Sequence, residues 1–94
     1  MKELVLNARE WKTTADIYDA LFRAIEAPSW HGRNFNALRD SIAGGDVNRV
    51  ELPYRIVIDG FDHMGESARH MANDLISLLR ELKEEGHSVD VVVR

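Results

Sequence analysis

Three groups of side chains in this 94-residue chain have the types and spacing to do chemistry. The run Asp59-Gly60-Phe61-Asp62-His63 gathers two carboxylates and an imidazole, a set that could ligate a metal or serve a small ligand. His31 and Asp40 could form an acid–base pair if folding joined them, although no third group or oxyanion donor accompanies them. The third group is Trp30, Asn34, Asn36 and Asp40, an aromatic, two amides and a short carboxylate. That composition suits recognition better than bond breaking.

The first two readings gain little from the rest of the sequence. No HExxH, DxDxDG, GxSxG, P-loop or GxGxxG pattern is present. An Asp- and Gly-rich turn needs no function to explain it. With no cysteine, thiol nucleophiles, disulfides and Cys-based zinc sites drop out together. The expectation is a protein that is not an enzyme and needs no cofactor. A small α/β ligand- or metal-binding protein using Asp59, Asp62 and His63 stands as the alternative.

The elements that must position these groups are legible from periodicity. Strands are expected near 2–7, 54–59 and 88–93, where β-branched residues cluster between Pro53, Gly60 and Gly86. A first helix begins at Thr13 or Thr14, with Thr13 and Asp16 spaced as a capping box. It buries Ile17, Leu21, Ala24 and Ile25 and stops at Ala27-Pro28. A long helix near 65–85 carries Ala68, Met71, Ala72, Leu75, Ile76, Leu79 and Leu82 at helical spacing, with Gly86 as its stop. Strands separated by whole helices cannot form hairpins. The fold class expected is therefore α/β, one domain over 1–94, with a three-stranded parallel sheet in order 1-2-3 packed with helices.

The stretch PSWHGRNFNALRDSIAGG (28–45) reads as a loop running into a further helix. Phe35, Leu38 and Ile42 share one face; Asp40 lies about 140° from Phe35, with Asn36 one turn before it. Asn34 is positioned as the N-cap, which explains it without any function. Arg39 sits at the boundary, able to pack its stem and keep its guanidinium wet. Trp30 reads equally as a core-folded loop residue or as an interface anchor, and Asp40 alone as a solvated acid.

The run His31-Gly32-Arg33-Asn34-Phe35-Asn36-Ala37-Leu38-Arg39-Asp40 resembles the barstar-like family of intracellular ribonuclease inhibitors. The resemblance continues through Gly44, Pro53 and Phe61 to Arg80-Glu81-Leu82-Lys83-Glu84-Glu85-Gly86, so it covers nearly the whole chain. It implies an immunity-type inhibitor that plugs a nuclease active site with the loop and helix 28–45. Asp40 would stand in for a substrate phosphate. Trp30, His31, Asn34, Asn36, Arg39 and Gly44 would contact the enzyme around it, and Glu81 would be a peripheral acidic contact. Three positions depart from the family pattern: Asn36 replaces an acid, Arg39 an aromatic, and Gly45 a tryptophan. The stretch Gly45–Glu51 is also longer. The docking face is less acidic for it.

Charge bounds the partners. The net charge is −4, and residues 62–94 alone carry seven acids against four bases. A nucleic-acid binder shows the opposite balance, so charge points to a basic protein partner and no direct nucleic acid; the resemblance implies that this partner is a secreted or toxin-type ribonuclease. No signal-peptide core or membrane-length apolar run occurs. The expectation is a cytoplasmic protein, monomeric when free.

Overall fold

The computed structural model describes residues 2–27, 32, 34–44 and 52–94. Strands β1 (Lys2–Asn7), β2 (Tyr54–Asp59) and β3 (Val89–Val93) form one sheet in the order β1-β2-β3, with both pairs parallel. Helices α1 (Thr14–Ile25) and α2 (Phe35–Gly44) connect β1 to β2, and α3 (Glu66–Glu84) connects β2 to β3. The architecture is the one expected from the sequence. Two short 3-10 segments, Ala8–Glu10 and Phe61–His63, follow β1 and β2 and carry too few residues for periodicity to reveal them.

The sheet divides its side chains by the two-residue period of a strand. Leu4, Leu6, Tyr54, Ile56, Ile58, Val89 and Val91 join the helices in one core. Burial of Tyr54 pushes its phenol up to about 12. On the other face Val5, Val57 and Val92 form a row across the three strands, and Glu3, Arg55 and Asp90 form the next. Arg55 Nη1 lies 3.2 Å from Glu3 Oε2, and its Nε lies 3.6 Å from Asp90 Oδ2. Lys83 donates to Asp90 Oδ1 at 3.1 Å. That bond, with the Val91 N–H, holds the Asp90 carboxyl below its ordinary range.

Each helix begins and ends for a local reason. Thr13 Oγ1 accepts from the Asp16 N–H, while Asp16 Oδ2 accepts from the N–H groups of Lys12 and Thr13 at 2.8 and 3.0 Å. The capping box is formed, and those two backbone donors keep the Asp16 carboxyl below its usual value. Ile17, Leu21 and Ile25 are fully buried, while Ala24 is only partly so. Helix α1 stops at Glu26, which takes a left-handed φ of 53°, slightly before the expected Ala27-Pro28 stop. Pro28 lies outside the described residues.

In α3 all seven expected apolar positions are buried, and Leu78 joins them. Gly86 (φ 99°) terminates it with paired bonds, Gly86 N–H to Lys83 C=O and His87 N–H to Leu82 C=O, both 3.0 Å. Trp11, between the first 3-10 segment and α1, is buried, and its carbonyl accepts from Gly65 N–H at 2.9 Å. Among the described residues no helix is long and apolar enough to cross a membrane.

Candidate functional site

Helix α2 is short, so its placement depends on its cap and on its buried side. Asn34 Oδ1 accepts from the Ala37 N–H at 2.8 Å, and the Asn34 carbonyl accepts from the Leu38 N–H at 3.0 Å. Asn34 is thus the N-cap that the sequence suggested. Gly32 approaches this turn closely. A Cβ there would stand 3.1 Å from Asn34 Nδ2 and 3.3 Å from Ala37 Cβ. Leu38 and Ile42 are fully buried, Phe35 and Ala43 pack partly against the same core, and Ser41 is buried beside them. Each buried aliphatic side chain contributes about 1.5–3 kcal/mol, which anchors the helix by one face.

The opposite face is polar and open. Asn36 and Asp40 are exposed one helical turn apart, and no ion pair joins Asp40 to another described residue. The carboxylate is short, fixed to an anchored helix, and presented to water.

Arg39, the next residue, behaves differently. Its Nη2 lies 2.9 Å from Glu85 Oε2, and its Nη1 donates to the same oxygen at 3.2 Å. Glu81 Oε2 stands 3.4 Å from Nη2. The guanidinium therefore ties α2 to the last turn of α3. The Glu85 side is the tighter contact, since the Glu81 side chain is more exposed, 61% against 47%. Three formal charges sum to −1 here, and Asp40 brings this described group to −2 despite Arg39 and Asn36.

The other residues singled out from sequence fall as follows. Gly44 is the last residue of α2. Trp30 and His31 lie outside the described residues. Glu81 is brought to Arg39, a meeting with no local signal in the sequence, and Glu85 was not foreseen as a partner at all. Asp59 ends β2 and lies 3.7 Å from Arg9 Nη1, while the Asp62 carbonyl accepts from Arg69. Asp62 and His63 point into solvent. Among the described residues no three His, Cys, Asp or Glu side chains converge as metal ligands. His70 and Asp74, one turn apart on α3, form a surface pair at 3.9 Å.

An anchored helix with one open carboxylate, its flank clamped to a second helix, is a surface suited to docking. Comparison with known proteins points the same way. Over residues 1–94 the chain matches the sequence family described as Barstar (barnase inhibitor). It is 26% identical over 85 residues to the Bacillus subtilis (strain 168) protein named "Putative ribonuclease inhibitor YrdF", covering 90% of this chain and 89% of that protein.

Proposed function

The chain belongs to the Barstar (barnase inhibitor) family, and on that premise we propose that it is an intracellular, immunity-type inhibitor of a ribonuclease. It turns over nothing itself. It fills the active-site cleft of the enzyme with the loop and helix 28–45. The observation that carries this reading is Asp40, exposed on α2 with no described ion-pair partner while Leu38 and Ile42 hold the helix from behind.

The chemistry follows from what a ribonuclease must contain. Its cleft gathers Arg, Lys and His to bind a phosphodiester. A carboxylate delivered to those donors satisfies them with charge-assisted hydrogen bonds and offers no bond to cleave. Such a carboxylate binds best when it loses little freedom on docking. Asp has a short side chain and α2 is already fixed, so the entropic cost is small. Trp30 supplies the flanking aromatic anchor, and Asn34, Asn36 and Gly44 complete a face without long side chains, so a concave surface can approach closely.

Arg39 fits this reading as a positioning residue. With its charge taken up by Glu85 and Glu81, it holds α2 against α3, and the partner meets a net-negative rim. The expected enzyme is basic, of the secreted or toxin type. Titration against a panel of isolated bacterial ribonucleases tests the reading. Stoichiometric loss of cleavage with at least one basic enzyme is expected, and inhibition of none would contradict it.

A further inference from the structure

A second recognition surface lies along β1. Among the described residues this strand pairs only with β2, which leaves it at an edge of the sheet with one side of its backbone outside the ladder. Charged side chains guard such edges, and Lys2 and Glu3 do so at its start. The later part, Val5-Leu6-Asn7, has none. Beside it runs a groove of about 450 Å³ whose other wall is α1. Leu6, Trp11, Ala20 and Ala24 line the groove, all apolar, with the charged groups Glu10, Asp16, Asp19 and Arg23 around them. Asp19 has an interaction of its own, and the other three, Glu10, Asp16 and Arg23, sum to −1. A strand edge with a helix alongside is the geometry in which an extended segment adds to a sheet.

Val5 gives an independent reason to expect an occupant. It is 57% exposed, the most open of the large hydrophobic residues among those described, and begins the row Val5-Val57-Val92 on the outer face. A strand laid against β1 would place every second side chain beside Val5 and the intervening ones over the acidic groove. We propose that the β1 edge and the α1 groove bind an extended segment of a partner protein in which β-branched residues alternate with Lys or Arg. A second copy of this chain is a poor occupant, because pairing the two edges would bring like-charged grooves together. No residue of α2 lines the groove, so this site is separate from Asp40.

The test uses the full chain, labelled with 15N, and an end-blocked peptide alternating Val with Lys and Arg. Amide shifts should centre on Leu4–Asn7 and Asp16–Ala24, with new protection from hydrogen exchange in β1. Methylating alternate peptide nitrogens should abolish binding, because the backbone bonds are then lost. Glu10→Lys should weaken binding at least about threefold, the worth of one exposed charge contact, and leave ribonuclease inhibition unchanged. Equal binding by the methylated peptide would reduce the effect to charge attraction and overturn the proposal. So would an absence of shifts at millimolar peptide, or self-association of the protein through β1 without any peptide.

Discussion

The outer face of the sheet and the outer face of α2 both carry charge into water, and they use it in opposite ways. On the sheet, Arg55 stands between Glu3 and Asp90, and Lys83 reaches Asp90 from α3; the charges answer one another within the chain. On α2, Asp40 meets no described ion-pair partner. The contrast separates charge that ties elements together from charge held ready for another molecule. Arg39 sharpens it further, since it neighbours Asp40 in sequence yet belongs with the sheet's charges, clamped to Glu85 and Glu81. Adjacent helical positions point about 100° apart, which is enough to give one residue to the fold and the next to the partner.

Several substitutions would break or sharpen that contrast. The largest effect should come from removing the buried side of α2. Leu38→Ala should cost about 2–5 kcal/mol of stability by urea denaturation, because the side chain is fully buried in a shared core. Inhibition should fall with it, since Asp40 depends on that seat.

The inner face of the sheet supplies the next. Tyr54 holds its proton up to about 12 when folded, whereas the unfolded chain releases it near the ordinary value of 10.0. Above that ordinary value the unfolded state binds fewer protons, so the stabilising contribution is full at lower pH and is lost as pH rises through the folded value. Denaturation followed between those pH values should show a decline of up to about 2–3 kcal/mol from this group, absent in Tyr54→Phe.

Arg39→Glu should lower stability by up to about 1 kcal/mol, by placing three acids together, and combining it with Glu85→Arg should restore what was lost. No recovery in the double variant would mean that the clamp does not hold α2. Smallest of all, Asp59→Ala with His63→Ala should leave inhibition within about twofold of the unchanged protein, since surface changes away from an interface have small effects.

How far the sequence disclosed this depends on range. The strands, the Thr13–Asp16 box, the Asn34 cap and the Gly86 stop all follow from local rules, because the residues that decide them are within a turn or two of each other, and the parallel order follows from the whole helices between the strands. The face of α2 was legible for the same reason, since helical spacing alone separates Asp40 from Leu38 and Ile42. What local patterns could not reveal was the Arg39–Glu85 contact, which joins residues 46 positions apart and depends on how α2 crosses α3. Trp11 was equally opaque. It lies between a 3-10 turn and a helix, where no periodicity marks a side as buried, and only its tertiary packing in the core encloses it.

The measurement that bears most directly on the central claim is the affinity of Asp40→Ala for an isolated ribonuclease that the unchanged protein inhibits, read by titration at two salt concentrations. The side chain is exposed and holds no element in place, so thermal stability should stay within about 0.5 kcal/mol. Binding should weaken by at least about 2 kcal/mol, chiefly through faster dissociation, because a hot-spot charge would be gone from the centre of the cleft. Unchanged binding in a folded Asp40→Ala variant would contradict the account, and the inhibitory surface would then have to lie away from α2.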